Sequence, residues 1–441
     1  MLVLCMAVLL AASWMFVLKK ASGTEERKKQ EALVKDADRF FEQKLYVRAI
    51  PLYEESLAYQ IRPEEESEKQ SRAAVEQKLL GAYLNYGDME SYSALVKSRI
   101  KNGTAQEEEC LTAADYYLDS RNSKDAMELL KDAVRKLHSQ ALADCYEKNR
   151  YEYQIRVTPW IEITPTASNE RMPAFDGKNW YFVNDSGQIL LEGGYEAALP
   201  FDSEGYAVVR TDGGYVTVLE NGDWYGRAEE GITDVYALSC GRILAQKDGA
   251  YSYYDYDFMP LAESLQYEAI TANACGAAAV KQGGRWGIIT DEGETAADFI
   301  FEDIAVNSLG SAFAGGAAMV KADGKWFLAD TQGNRISENS FADARAPESE
   351  NGYIAVADES GRWGFIDRTG SLVIPCRYED ARSFSCHLAP VCFRDRWGYL
   401  SENGELVIDE PFEDAQPFHN GRAQALLAGY ETVLELSYFE E

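Results

Sequence analysis

Histidine and cysteine, the side chains most often used in nucleophilic and metal chemistry, are few in this chain and lack the spacings that such chemistry needs. The 441 residues include three histidines, His138, His387 and His419, and eight cysteines. The sequence contains no Cys-x-x-Cys pair, no His-Glu-x-x-His segment and no Gly-x-Ser-x-Gly turn, so it supports neither a zinc site nor a nucleophilic triad. We expect no metal and no cofactor, and we expect the cysteines to be free thiols.

Carboxylates are abundant, with 73 acidic against 43 basic residues and a formal net charge of −30. Such a chain repels nucleic acid, and we interpret its acidity as an aid to solubility rather than as a sign of a cationic ligand. Asp255 and Asp257 supply too few oxygens for a calcium loop. Asp291, Asp330 and Asp367 recur at or next to one position of a repeat, which is typical of turn residues. No pair of carboxylates stands out for glycoside hydrolysis, so a glycoside-processing enzyme is only a remote alternative.

The first twenty residues predict a membrane anchor. The range Leu2–Leu18 is almost wholly apolar, and Lys19 and Lys20 follow at once. A run of this length is about the shortest that spans a bilayer, roughly 17 residues, and the lack of a basic start argues against a cleaved signal peptide. We therefore predict a transmembrane helix over residues 1–20. We place the rest of the chain outside the cytoplasm, with the cytoplasmic side as the alternative because the lysines follow the span.

Residues 25–150 have the composition and pattern of helical hairpins. No proline falls between Pro63 and Pro159, and alanine, leucine, glutamate and lysine dominate, which favours helix. The segments pair with a period of roughly 35 to 40 residues, the size of one helix-turn-helix repeat. The sequence therefore predicts an all-α repeat domain here.

A large aromatic residue recurs through the rest of the chain at intervals of 33 to 40 residues. These eight residues, called the signature aromatics below, are Trp180, Tyr215, Tyr251, Trp286, Trp326, Trp363, Trp397 and Tyr430. In most units a glycine follows seven residues later, and a tyrosine or phenylalanine about fifteen residues later. Each unit contains about three short apolar strands separated by turns of the Asp-Gly and Asp-x-x-Gly kinds. The pattern predicts an all-β repeat domain over residues 155–441.

One three-stranded unit cannot bury its own apolar face, so neighbouring units must stack. Seven or eight units suffice to close a ring, and we predict a seven- or eight-bladed β-propeller, with an open β-solenoid as the alternative. The signature aromatics should then pack between adjoining units. The last unit lacks a third strand, and the segment "VTPWIEITP" before the first unit is an unassigned strand. One could complete the other as a closing clasp.

Residues from about 170 to 435 resemble the WG-repeat family, which is named for its Trp-Gly signature. Three units carry that signature in full: Trp286-Gly287, Trp363-Gly364 and Trp397-Gly398. Trp180 and Trp326 keep only the tryptophan, and the remaining units have tyrosine instead. The resemblance implies bacterial repeats and says little about function.

The helical part contains "DADRFFEQKLYVRAIPLYEESL", which resembles a tetratricopeptide repeat. Ala37 and Phe41 would be the small and aromatic residues of its first helix, and Tyr53 would lie on the inner face of the second. Such repeats usually present a concave surface to peptides or partner helices.

Both architectures present surfaces rather than reactive groups. We therefore predict a non-catalytic, membrane-anchored binding or scaffold protein whose partner is a protein not identified by the sequence. Binding of a glycan or cell-wall polymer through exposed tyrosines, of which the chain has 27 in all, is the alternative.

Overall fold

Helices fill the first part of the chain in the computed structural model, which describes residues 25–59, 66–164, 171–184, 186–239, 241–261 and 267–439. The chain divides into two compact units between Arg150 and Tyr151. The helices of the first unit are α1 (25–42), α2 (Tyr46–Ala58), α3 (Glu66–Tyr86), α4 (Met89–Asn102), α5 (Glu107–Asp119), α6 (Ser123–Leu137) and α7 (Gln140–Asn149). They are consistent with the helical hairpins that the composition predicts.

Local polar groups begin and end these helices. The Asp88 carboxylate accepts the N–H of Ser91 at the start of α4, and Gly103 ends that helix with a φ of 71°. Asn122 accepts the N–H of Asp125 at the start of α6. These contacts satisfy backbone groups that a helix leaves without an internal partner.

One cation lies inside the helical unit. The Arg99 side chain on α4 is 2% exposed, and its Nε donates to Glu109 Oε2 at 3.1 Å while its Nη1 donates to Glu76 Oε2 at 3.4 Å. Its Nη groups also donate to the carbonyls of Ala73 and Thr104, at 3.1 and 2.7 Å. Because Glu76 lies on α3 and Glu109 on α5, the guanidinium links three helices and leaves both buried carboxylates paired.

The predicted single-pass membrane anchor is contradicted. Among the described residues, no helix is both long enough and apolar enough to cross a bilayer. The longest helix with printed bounds, α3, has 21 residues but carries six charged side chains, which a bilayer-spanning segment does not tolerate. Residues 1–20, on which the prediction was placed, lie outside the described residues.

The second unit contains eight antiparallel β-sheets, numbered here as the blades of a propeller. Blades 1 to 3 contain β2 (Glu162–Ile163), β3 (Met172–Phe175), β4 (Trp180–Val183) and β5 (Ile189–Tyr195); β6 (Ala197–Ala198), β7 (Tyr206–Thr211), β8 (Gly214–Leu219) and β9 (Trp224–Arg227); and β10 (Ile232–Ser239), β11 (Arg242–Lys247) and β12 (Ala250–Tyr254). Blades 4 and 5 contain β13 (Ala269–Ile270), β14 (Ala277–Gln282), β15 (Arg285–Thr290) and β16 (Thr295–Phe301); and β17 (Asp303–Ile304), β18 (Ala317–Ala322) and β19 (Lys325–Asp330). Blades 6 to 8 contain β20 (Asp343–Ala344), β21 (Ile354–Ala357), β22 (Trp363–Ile366) and β23 (Leu372–Tyr378); β24 (Asp380–Ala381), β25 (Leu388–Cys392), β26 (Trp397–Ser401) and β27 (Leu406–Phe412); and β28 (Asp414–Ala415), β29 (Arg422–Leu427) and β30 (Tyr430–Leu436), joined by β1 (Tyr153–Val157).

The ring closes through β1, which pairs antiparallel with β30 in blade 8 from Tyr153 opposite Leu436 to Val157 opposite Thr432. The strand missing from the last unit is therefore supplied from before the first unit, so the propeller forms and the open solenoid does not. The closing strand ends at Val157, the first residue of the predicted segment "VTPWIEITP", whose Glu162–Ile163 instead begins blade 1. Trp160 is buried in a cluster with Met172 of blade 1 and Val433 of blade 8, so it packs across the closure.

Candidate functional site

The signature aromatics lie at or next to the start of the third strand of their blades, spread around the ring. Tyr215, Trp326 and Trp363 are buried, and their hydrophobic clusters join adjacent blades. Trp180, Tyr251, Trp286 and Trp397 are half-buried. Tyr430 differs, with 63% of its side chain exposed. In blades 1, 4, 6 and 7 the tryptophan pairs across the strands with the aromatic residue found fifteen positions later, as in Trp363 opposite Tyr378.

The glycine of the Trp-Gly signature is required by a close approach of two strands. In blade 6 the pairing of β22 with β23 shifts between Trp363 and Phe365, and a Cβ on Gly364 would lie 2.5 Å from the Ile374 carbonyl oxygen. Gly287 and Gly398 show the same bulge and the same kind of contact, at 2.8 and 2.7 Å. A side chain at these positions would push the fourth strand away. These glycines therefore serve the packing of individual blades and do not gather in one site.

A different set of residues surrounds a cavity of about 980 Å³, called the central cavity below. Residues from seven of the eight blades line it, most of them in the loops that join the first and second strands of each blade. Trp180 is the one signature aromatic among them. Since these loops hang from rigid strands, they can hold side chains in fixed positions around a ligand.

The central cavity is acidic. Five carboxylates line it, from Glu162, Asp202, Glu348, Glu350 and Glu402, whereas no lysine or arginine is among its lining residues in the described part of the chain. Its other ionisable side chains of note are two of the three histidines of the chain, which lie in the loops of blades 7 and 8. Five of the 73 acidic residues of the sequence thus share one concave surface.

Three side chains from blades 5, 6 and 8 meet at this cavity and form the Ser308–Glu348–His419 cluster. The Ser308 hydroxyl donates to Glu348 Oε2 at 2.6 Å, and the Ser308 N–H lies 3.3 Å from both carboxylate oxygens. Ser308 Oγ is 2.7 Å from His419 Nε2, which itself lies 3.6 Å from Glu348 Oε2. The carboxylate and the imidazole are only 10% and 11% exposed.

Burial shifts the pKa of both ionisable groups in the cluster. It lowers the pKa of His419 to about 4, so the ring is neutral at neutral pH and forms no ion pair with Glu348. Burial also raises the pKa of Glu348, against the smaller opposing effects of the Ser308 hydrogen bonds and of the Arg382 charge. No lysine or arginine of the described chain lies within 4.0 Å of the Glu348 carboxylate; His419 is its single basic neighbour at that distance.

The cluster does not have the geometry of a nucleophilic triad. In a triad the carboxylate and the hydroxyl contact different nitrogens of the imidazole, but here Ser308 and Glu348 both face Nε2. While the Ser308 hydroxyl donates to Glu348, its oxygen can only accept from His419, which places a proton on Nε2. Among the described residues, no three histidine, cysteine or carboxylate side chains converge as metal ligands.

A second cavity, of about 380 Å³, adjoins the cluster. It shares Glu162, Ser308 and His419 with the central cavity and adds the carboxylates of Asp414 and Glu431. Asp414 is paired with Arg382 at 2.9 Å. The cluster is therefore reached from two acidic cavities.

The sequence did not single out these residues as a site. His387 and His419 are visible as two of the three histidines, but Ser308 lies 111 positions before His419 in a loop with no repeat signal. The one available hint is that the loops at 305–316 and 345–353, which carry Ser308 and Glu348, are long compared with the turns elsewhere in the repeat. These loops come together only in the closed ring, and no local sequence pattern predicts that they do.

Comparison with known sequences identifies the repeat. The family model of the WG containing repeat matches residues 182–215, 251–286, 286–326, 363–397 and 397–430. No curated protein sequence matches the chain.

Solved structures match the chain at low similarity. A structure described as a eukaryotic initiation factor is 11% identical, with a TM-score of 0.42, and the match covers 67% of this chain and 90% of that one. Kluyveromyces lactis Hsv2p is 9% identical, with a TM-score of 0.34 and coverage of 53% and 92%. The WD40 domain of SCAP from fission yeast is 8% identical, with a TM-score of 0.35 and coverage of 66% and 99%. At these values none of them bears on what this chain binds.

Proposed function

Because the C-terminal part of this chain consists of WG repeats closed into an eight-bladed propeller, we propose that the protein is a non-catalytic binding protein that takes a segment of a partner protein into the central cavity. The observation that carries the proposal is the convergence of loops from seven blades on one cavity of about 980 Å³. That volume lies at the upper end of the range of ligand pockets, roughly 300–1,000 Å³. A cavity of this size admits several side chains of an extended segment.

The helical unit supports the proposal because helical repeats bind peptides or helices on their exposed faces. Leu84 and Tyr86 near the end of α3 are 48% and 56% exposed. Their exposure offers an apolar contact in the unit that lacks the acidic cavity. We propose that this unit is a second protein-binding surface of the same chain.

The arrangement of polar groups supports binding rather than catalysis. The Ser308 hydroxyl donates to the Glu348 carboxylate, and no carboxylate aligns the His419 ring through its other nitrogen as a nucleophilic triad requires. The turn carboxylates are occupied by backbone groups, as Asp330 shows by accepting the N–H of Gln332 and of Asn334 at 2.9 and 2.8 Å. Such groups orient loops and carry no reaction.

Glycan binding is a second candidate, favoured by an aromatic cluster where blades 2 and 3 meet. The Tyr206 and Tyr256 rings stack with centroids 3.9 Å apart, and Tyr225 lies edge-on to Tyr206 at 5.0 Å. Trp224 next to it is 57% exposed, and Asp202 accepts the Tyr256 hydroxyl at 2.6 Å. Exposed aromatic faces beside a carboxylate suit the apolar faces and hydroxyl groups of a sugar.

The two candidates are separated by two probes applied to the full chain. We expect a library of random peptides displayed on phage to yield binders that Asn351→Trp, a substitution at the exposed rim of the central cavity, abolishes. The control Asn403→Trp, on an exposed turn that does not line the cavity, should leave them bound. If no peptide is enriched and a glycan array instead returns ligands that Trp224→Ala releases, the peptide proposal is wrong.

A further inference from the structure

In the described part of the chain, the Glu348 carboxylate is 10% exposed and has no lysine or arginine within 4.0 Å. Its contacts within hydrogen-bond distance are the N–H and hydroxyl of Ser308, which are neutral, and the nearby ring of His419 is uncharged at neutral pH. An ionised carboxylate removed from water is costly unless a positive charge accompanies it. The protein therefore maintains an uncompensated acidic group on the wall of an open cavity.

Two arginines beside Glu348, Arg382 whose charge acts on it and Arg368 which contacts the next residue, are engaged with other groups. Arg382 stacks over Trp397 at 4.5 Å and pairs with Asp414 at 2.9 Å. Arg368 donates to the carbonyls of Ala314 and Ser349. Neither guanidinium is within 4.0 Å of Glu348 in the described structure, so neither neutralises it.

We propose, building on the function proposed above, that the central cavity binds an alkylammonium group, with Glu348 as its anchor and Ser308 Oγ as a second acceptor. The group would be the side chain of a lysine in a partner segment or the end of a free polyamine, since both present the same ammonium. The four other carboxylates of the cavity, those of Glu162, Asp202, Glu350 and Glu402, make the surrounding potential negative and attract the cation.

The geometry favours an ammonium over a guanidinium. Both oxygens of Glu348 already face the Ser308 N–H at 3.3 Å, and Oε2 also accepts its hydroxyl. A planar guanidinium binds best to two free carboxylate oxygens side by side. An ammonium has three donors that can point separately, so it can use the remaining lone pairs of Glu348 and Ser308 Oγ.

Binding of the cation should release a proton. Burial raises the pKa of Glu348, and a positive charge placed against the carboxylate would lower it again. Affinity for the amine should therefore rise with pH through the range in which Glu348 ionises. The polar and charged groups that act on Glu348 here are Ser308, His419 and the Arg382 charge, and none of the three supplies such a pairing.

The test is calorimetric titration of the full chain, at about 150 mM salt so that long-range attraction is screened. The probes are cadaverine, spermidine, and two peptides that differ only in one lysine or arginine. We expect Glu348→Gln to weaken the binding of every amine by about tenfold or more. The exposed turn variant Glu405→Gln should not change it. Repeated over a series of pH values, the titrations should show an affinity for the amine that rises with pH in the parent protein and not in Glu348→Gln.

The outcomes are distinct. Equal affinity of the parent protein and Glu348→Gln for the amines, or equal binding of the arginine and lysine peptides, overturns the ammonium proposal. If peptides still bind in a way that Asn351→Trp blocks but Glu348→Gln does not affect, the proposed function stands and this inference fails. If cadaverine and spermidine bind through Glu348 while the lysine peptide does not, the source is a free polyamine. Far-ultraviolet circular dichroism of each variant verifies that it is folded.

Discussion

In the helical unit Glu76 and Glu109 lie against the guanidinium of Arg99, whereas in the propeller Glu348 lies against a serine and a neutral histidine. Both sites are close to fully buried, and both use loops or helices distant in sequence. They differ in whether the cation is part of the chain. In the helical unit, the hydrogen bonds of Arg99 link α3, α4 and α5.

The difference teaches how to separate structural from functional charges in this molecule. A buried charge whose partner is built in stabilises the fold it links, and removing one partner leaves the other unpaired. A buried charge without a partner lowers the free energy of unfolding, and under the proposal above a bound ligand supplies its counterion. Substitutions at both kinds of charge and at an exposed ion pair test that distinction.

Removal of the Arg99 cation should have the largest effect. We expect Arg99→Met to lower the free energy of unfolding of the helical unit by about 3–5 kcal/mol, because Glu76 and Glu109 then remain buried without a counterion. Hydrogen exchange measured by mass spectrometry should show lost protection across α3 to α5, with the propeller strands unchanged. A loss below about 1 kcal/mol would show that these carboxylates need no cation.

The neutral histidine of the propeller should make the stability of that unit depend on pH. The pKa of His419 is lowered from 6.5 to about 4, so the unfolded chain binds more protons than the folded one in this range. The free energy of unfolding should be fully maintained above pH 6.5 and should fall by about 3 kcal/mol as the pH drops to about 4. Urea titrations across this range should give a free energy of unfolding that depends on pH with different slopes in the parent protein and in His419→Gln. Equal pH dependence in the two proteins would contradict the effect of burial.

Neutralisation of one carboxylate in each unit gives the direct comparison. Glu109→Gln removes a charged acceptor from Arg99 and should destabilise the helical unit by about 1.5–3 kcal/mol. Glu348→Gln should leave the propeller within about 1 kcal/mol of the parent or make it more stable, since the raised pKa of Glu348 means that ionisation above that pKa opposes folding. Equal losses in urea titrations of the two variants would abolish the distinction drawn here.

An exposed ion pair should matter least. Arg135 and Asp132 lie 2.9 Å apart on α6 with 72% and 45% of their side chains exposed. We expect Arg135→Ala to change the free energy of unfolding by no more than about 0.5 kcal/mol, since solvent screens the pair and alanine favours helix. A larger change in the same urea titration would mean that burial does not determine how much a charged group contributes to stability at these sites.

Repeated features of the fold could be predicted from the sequence because they recur. The signature aromatics predict seven or eight stacked units, and eight blades form. Asp330 and Asp367 have the predicted turn role, as Asp367 accepts the N–H of Thr369 and of Ser371. Asp291 does not, because Thr290 takes that position and accepts the N–H of Glu292, while the Asp291 carboxylate accepts the side-chain amide of Asn273. The first strand of most blades was missed because a strand such as Asp303–Ile304 is two residues long and has no period to detect.

Features that occur once could not be predicted in the same way. Ser308, Glu348 and His419 each lie in a loop outside the repeating columns, and only closure of the ring brings them within contact. The predicted membrane anchor was wrong as judged by the described helices, each of which carries charged residues. The net charge of −30 is a property of the whole sequence. It does not indicate which carboxylates share a cavity.

The pairing of β1 with β30 has a consequence for biosynthesis. Tyr153–Val157 is synthesised before the first blade, and Tyr430–Leu436 after nearly all the other strands. The strand Tyr153–Val157 therefore has no partner until translation of the domain is almost complete. Contacts between such distant segments form slowly, and exposed edges recruit other chains. A chain that ends before Tyr430 would therefore lack β30 and could not close the ring. Its unpaired strand edges would be prone to aggregation.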